Sequence, residues 1–260
     1  MKSITKLIAS LLLAALPFTL LSQGQTVVAA YMKVPHGMDS QYLEIENAWR
    51  TIHQKAVEAG VYNGWQLWRN VHAGADDPYQ YITLHWYDDY EHYFGENVSQ
   101  DWAEGLFTDQ EAEELTKKTL AARTYAYEEV SNLVTMVDNQ KPLIYLVVYR
   151  IEVKPGMENE YVQMETEIFK LYYEELIRRD LAAHWGIWNI WPFKKGQCRY
   201  VAVNGFKDAA QLTAEDVTIQ PEELGLDYTM EEVMELMQKT RSIVQVELWE
   251  LIDQVWPEEE

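Results

Sequence analysis

Six histidines, ten tryptophans and 17 tyrosines are the side chains of this 260-residue chain that could do chemistry or hold a flat ligand. Imidazole changes charge near neutral pH, which makes His53, His85 and His184 the candidates for acid or base. No two histidines stand one helical turn apart, as a zinc helix would require. His85 and His92 flank Trp86-Tyr87-Asp88-Asp89, but the sequence fixes no second ligand set, so we assign no metal and no cofactor. Cys198 is the only cysteine, which excludes an internal disulfide. Trp65 and Trp68, like Trp185 and Trp188, stand three apart, so on a strand they face opposite sides of a sheet. Either member can pack in a core or line a pocket that stacks on flat or sugar-like ligands. Arg123 with Glu129, and Arg241 with Glu247, lie six apart. On an unbulged strand each pair shares a face, where it can orient an anionic ligand or pair across an interface. We count Trp65, Trp68, Trp185, Trp188, Arg123 and Arg241 as the ligand-binding candidates.

These residues recur. Val34-Pro35-His36-Gly37-Met38, Tyr42 and Glu46 reappear 119 positions later as Val153-Lys154-Pro155-Gly156-Met157, Tyr161 and Glu165. Trp65-Gln66-Leu67-Trp68 returns as Trp185-Gly186-Ile187-Trp188 at 120, and Tyr81 and Tyr87 match Tyr200 and Phe206 at 119. Arg123, Glu129, Leu133 and Val137 match Arg241, Glu247, Leu251 and Val255 at 118. A period this long implies duplicated domains rather than a solenoid.

Each copy must position its residues with the same elements. A β-rich run, Thr26 to Val34, stops at Pro35-His36-Gly37. Asp39 can cap a helix in which Tyr42, Ile45, Trp49, Ile52 and Ala56 form an apolar stripe, as Tyr161, Met164, Ile168, Leu171 and Leu176 do later. Glu46, Arg50 and His53 form a polar stripe on the same helix, expected to face solvent. Tyr172 replaces His53 in the second copy, restricting any base there to one half. Aromatic-rich strands follow at Tyr62 to Val71 and Tyr79 to Tyr87, and at Ala182 to Trp191 and Gln197 to Phe206. A second helix, Asp109 to Ala122 or Met230 to Lys239, leads into a last strand from Arg123 or Arg241. The order βαββαβ, written twice, predicts an α+β fold of two ferredoxin-like modules, residues 25–138 and 142–256. Their open, apolar sheet faces are expected to pack on each other and partly close the edges.

The start of the chain reads as a signal peptide, residues 1–24: Lys2 and Lys6, an apolar stretch from Leu7 to Leu21, then Ser22-Gln23-Gly24. Its apolar stretch, of about 15 residues and interrupted by Pro17, is short for the roughly 20 that span a bilayer. Cleavage would leave Gln25 first and a periplasmic or secreted protein without membrane insertion. It would remove two of 21 basic residues and none of 42 acidic ones, leaving 19 against 42. Such a balance disfavours nucleic acid and anionic lipid as partners. The ending Pro257-Glu258-Glu259-Glu260 reads as a solvated tail, residues 257–260.

The doubled βαββαβ order, the Val-x-x-Gly-Met-x-x-x-Tyr opening and the Trp-x-(Leu/Ile)-Trp strand resemble the dimeric α+β barrel superfamily, with its antibiotic-biosynthesis-monooxygenase-like and NIPSNAP-like domains. The resemblance covers about residues 26 to 256 and implies a fused pseudo-dimer. Members include cofactor-free oxygenases, haem-degrading and haem-dependent enzymes, isomerases and proteins without known activity, so the fold alone does not name a function. The Asn, Trp and His set of the haem-degrading members is not found, because neither first strand carries Asn. His184 is the one histidine to test as an axial ligand. Phosphate loops, nucleophile elbows and zinc signatures are absent from the sequence. The leading expectation is an exported small-molecule-binding protein with an aromatic-lined pocket for a small aromatic or hydrophobic ligand. The alternatives are a cofactor-independent oxygenase or isomerase acting on an aromatic compound, and a structural or interaction protein. A pocket with one histidine among aromatics favours the enzyme, one without titratable groups favours binding, and no pocket favours the third.

Overall fold

The computed structural model describes residues 24–95, 100–139, 141–191, 198–214 and 217–258. The expected leader, up to residue 23, and the last two residues of the acidic tail lie outside them. The first half runs β1 (Thr26–Lys33), α1 (Asp39–Glu58), β2 (Gly64–Asn70), β3 (Tyr81–Tyr87), α2 (Tyr90–Phe94), α3 (Asp109–Ala122) and β4 (Thr124–Asp138). The second begins with β5 (Tyr145–Val153) and α4 (Glu158–Met164), which passes through a π-helical turn, Glu165–Phe169, into α5 (Lys170–Arg178). It continues with β6 (His184–Ile190), β7 (Tyr200–Phe206), α6 (Ala209–Leu212), α7 (Met230–Thr240) and β8 (Arg241–Val255). A π turn holds one extra residue. That accounts for the repeat spacing growing from 119 at Tyr42/Tyr161 to 120 at Trp65/Trp185.

α3 and α7 start where local chemistry directs. Thr108 with Glu111, and Thr229 with Glu232, form reciprocal capping boxes that satisfy the free amides of each first turn. α1 departs from expectation, because Met38 occupies the cap position without a side-chain bond and Asp39 is already helical. The Asp39 carboxylate instead accepts a hydrogen bond from Tyr81 Oη at 3.0 Å, tying helix to sheet.

The eight strands close completely, in the order β1-β3-β2-β8-β5-β7-β6-β4 and back to β1. Antiparallel pairing of β2 with β8 and of β4 with β6 joins the halves, so two sheets stacked with partly open edges give way to one barrel. Closure satisfies every edge, which stacking alone would leave exposed. Three cores result. One fills the barrel, with Tyr31, Trp68, Ile82, Val148 and Trp188. The others lie between the outer wall and the helices, around Tyr42 and Trp65 in the first half and Tyr161 and Trp185 in the second.

Bulges decide which polar residues enter the barrel. In β4, Tyr31 faces Tyr127 while Met32 faces Tyr125, so Ala126 is the extra residue; in β8, Val244 is extra between Ile243 and Gln245. Each bulge reverses the alternation, so Arg123 and Glu129 do not share a face, nor do Arg241 and Glu247. Arg123 lies beneath α1 against Glu46 at 3.4 Å, and Arg241 lies beneath the second-half helix against Glu165 at 3.2 Å. Burial raises the Glu46 pKa and pushes Glu165 up to about 7, against the pull of these arginines. The expected solvated stripe is therefore interior at Glu46, and only Arg50 reaches the surface, paired with Asp253 at 3.1 Å.

Glu129, released into the barrel by its bulge, meets Arg150 of β5 at 2.5 Å and accepts from Tyr31 Oη at 2.7 Å. Arg150 also donates to Tyr31 Oη. Arg150 is only 5% exposed, so this pair links the halves in a region where an unpaired charge is costly. Arg150→Met is expected to lower unfolding stability by about 3–5 kcal/mol in urea titrations. Adding Glu129→Gln should recover part of the loss, by removing the stranded carboxylate; unchanged stability in the single variant would contradict this.

Candidate functional site

Strand alternation sorts the tryptophans cleanly. Trp65 and Trp185 face outward beneath the helices, whereas Trp68 and Trp188 face the lumen. Three residues apart on a regular strand, each pair had to divide this way. The lumen keeps a cavity of about 520 Å³ that the side chains leave unfilled. Its wall is mainly indole and aliphatic, with Trp86 of β3 and Trp188 of β6 meeting edge to face at 5.6 Å. Tyr31 and Glu129 contribute its polar floor, while His184, Asp138 and Lys141 add titratable groups elsewhere along the lining.

His184 opens β6 directly opposite Asp138, the last residue of β4. Its Nδ1 lies 3.9 Å from the Asp138 carboxylate, an ion-pair separation longer than a hydrogen bond. Its Nε2 stands 3.3 Å from where a Cβ on Gly186 would lie, and in the tautomer protonated at Nδ1 this nitrogen is an acceptor. His184 is the single imidazole facing the cavity among the described residues.

The other histidine candidates sit outside the barrel. His53 of α1 stacks on Trp65, with centroids 4.2 Å apart and planes within 13°, and its Nδ1 lies 2.7 Å from Tyr62 Oη. The His85 ring stands 5.4 Å away. Burial drives the His53 pKa down to about 2 and that of His85 to about 4, so both rings are neutral packing elements at neutral pH. His92 turns instead to the Gly60 carbonyl at 3.0 Å and Asp88 at 3.4 Å. No group of three His, Cys, Asp or Glu side chains is placed to hold a metal among the described residues. Arg123 and Arg241, occupied beneath the helices, do not line the cavity.

A second cavity, of about 580 Å³, separates α5 and α7 from the outer face of β5 and β7. Its wall includes Phe169, Tyr172, Tyr173, Asn204 and Met237, without a charged or imidazole side chain among the described residues. In the first half the corresponding layer is occupied by His53, Tyr62 and His85. Tyr62 corresponds to Ala182 at the repeat spacing, and His85 to Asn204, so the smaller side chains leave room.

Several residues of the barrel site escaped the sequence reading. Arg150 stands where the repeat places Tyr31, 119 positions earlier, and a lone arginine inside an otherwise apolar strand was the available signal. Gln66 accepts at Oε1 from the indole N–H of Trp68 at 3.3 Å and of Trp86 at 3.1 Å, a convergence set by the β2–β3 register, which places Gln66 diagonal to Trp86.

No family model matches the chain, and no curated protein is similar to it. Solved structures do match along nearly the whole length. A protein described as a monooxygenase from Lactobacillus acidophilus superposes with a TM-score of 0.55, covering 90% of this chain and 96% of its own at 7% identity. Another so described, from Fusobacterium nucleatum, gives 0.52 over 90% and 94%, also at 7% identity. An anthrone oxidase-like protein gives 0.50 over 90% and 93% at 9% identity. The fold is that of a dimeric α+β barrel. At these identities the likeness concerns the fold alone, which does not name a function.

Neutral, buried imidazoles have a consequence for stability. A depressed folded pKa means that protonation is easier in the unfolded chain, so the stability His85 supports is present above its unfolded value near 6.5 and is lost as pH falls toward 4. Heteronuclear NMR should find His53 and His85 unprotonated at pH 5. His85→Gln should flatten the fall in stability between about pH 6.5 and pH 4; a fall of undiminished steepness would assign the acid sensitivity elsewhere.

Proposed function

We propose that this protein binds a small, flat, largely apolar compound in the lumen of its barrel. The observation that carries the reading is the unfilled space of about 520 Å³ walled by Trp68, Trp86, Trp188 and Trp249. Eight-stranded barrels either fill with their own side chains or hold one small ligand, and this one stops short of filling. Indoles supply large, rigid surfaces for stacking at low entropic cost. The repeat further supports a tandem pair of ferredoxin-like modules, fused so that the two halves enclose the ligand. The lysine-flanked apolar leader supports export to the periplasm or beyond.

A second reading is favoured by one specific observation, the single imidazole of His184 beside Asp138 in a mainly indole and aliphatic lining, the pattern set out above as favouring an enzyme. A histidine oriented by a carboxylate is suited to move a proton on a bound compound. Cofactor-independent oxygenation or isomerisation of an aromatic substrate fits that arrangement, with His184 as the base and the indoles excluding water.

Binding in the lumen is tested by filling it. Ala29, on β1, lines the cavity. Ala29→Phe should weaken binding of 2-naphthol, followed by quenching of tryptophan fluorescence, by at least about ten-fold. Equal affinity in the variant would place the ligand elsewhere. Export is tested independently by N-terminal sequencing of the protein recovered from periplasm or medium, which should begin at Gln25.

A further inference from the structure

The two halves differ at one place where the repeat makes the difference measurable. In the first half, Gln66 projects into the lumen and its amide oxygen takes the N–H of both Trp68 and Trp86. At the repeat spacing of 120, Trp68 corresponds to Trp188 and Gln66 to Gly186. At 119, Trp86 corresponds to Gly205. The second half thus keeps the indole and lacks both the amide that would receive it and the facing tryptophan. Trp188, only 5% exposed, lines the cavity, and no residue of its own half stands where Gln66 stands to take its Nε1–H.

Gly186 is therefore more than an absent side chain. A Cβ built there would stand 3.3 Å from Trp188 Nε1 and 3.3 Å from His184 Nε2, so both nitrogens overhang the vacant position. The backbone at Gly186 has no left-handed torsion that would by itself call for glycine. What distinguishes the site is an indole N–H beside an imidazole nitrogen, His184 Nε2, that accepts a hydrogen bond in the tautomer protonated at Nδ1.

We propose that the space above Gly186 is a subsite for the hydroxyl of a phenol or enol. The ligand oxygen accepts from Trp188 Nε1, standing in for the Gln66 amide oxygen of the other half, and its O–H donates to His184 Nε2. This rests on the lumen being the binding site and adds which functional group the lumen selects. A hydroxyl satisfies both nitrogens at once; an ether can satisfy only the indole, and a bare ring neither. Leaving a buried donor or acceptor unpaired costs more than a formed bond contributes, so the discrimination should be readable in affinities.

The test compares 2-naphthol, 2-methoxynaphthalene and naphthalene, which share one ring system, by calorimetry and tryptophan quenching on the wild-type protein and on Gly186→Gln and Trp188→Phe. In the wild type, 2-naphthol should bind about ten-fold tighter than naphthalene, with the ether between them. Gly186→Gln supplies the missing amide and should abolish the preference, and Trp188→Phe, read as the ratio of 2-naphthol to naphthalene affinity in the same variant, should reduce it about three-fold. Equal affinities for 2-naphthol and naphthalene in the wild type would overturn the subsite and leave the lumen reading standing. A preference that survives intact in Gly186→Gln would also overturn it, since the hydroxyl would be held elsewhere. Failure of all three compounds to bind would overturn the lumen reading and the subsite together.

Discussion

Every feature of this protein depends on how its sheet edges are satisfied. A four-stranded antiparallel sheet leaves two rows of unpaired amides and carbonyls, and the chain meets that cost by pairing β2 with β8 and β4 with β6. Once eight strands close, an interior exists whose size is set by strand number, and residues that would face a neighbouring layer face one another across a lumen. The buried Glu129, Arg150 and Tyr31 group is a consequence, since it draws on β4, β5 and β1 and forms only when both halves are in place.

Bulges in β4 and β8 add a second level of control. On an unbulged strand the six-residue spacing would send each arginine and its glutamate to the same side, but the bulges at Ala126 and Val244 reverse the alternation between them. With them, Arg123 and Arg241 stay outside, under the helices with Glu46 and Glu165, while Glu129 and Glu247 turn inward. Glu247 is held there by Tyr79 at 2.5 Å and by the Trp249 indole at 2.9 Å, with Gln245 and Asn70 adding further donors. The same one-residue device thus gives the barrel two polar centres and gives each helix layer a buried ion pair.

The halves differ in how they fill the space they share. In the first, Gln66 and Trp86 fill the lumen side of β2 and β3, while Gly64 lets the Trp256 indole lie where a Cβ would come within 2.2 Å of it. In the second, Gly186 and Gly205 stand at the matching positions of Gln66 and Trp86, and His184 stands at that of Gly64. At Gly205 a Cβ would come within 2.8 Å of the His184 Cβ, so that glycine seats the histidine. Bulk on one side and its absence on the other shape an asymmetric cavity, with the titratable His184 and Asp138 beside the emptier half.

Local and periodic features were legible from the chain itself. The helix spans 109–122 and 230–240 begin at capping residues, and the opposite facing of Trp65 and Trp68 follows from strand geometry, because these depend on neighbours within a few positions. The repeat also carried the order of elements, and with it the barrel-type fold. Long-range closure decided the rest. Nothing local distinguishes His184, which faces the lumen, from His53 and His85, which become neutral packing rings, since burial and ring partners set their chemistry. Nor does spacing disclose a bulge, because inserting one residue costs the chain little and yet reverses the face of the residues that follow, up to the next register shift. The sequence determined which elements form and in what order; the tertiary structure decided which of their side chains meet inside the barrel, because that depends on strands far apart in the chain closing on one another.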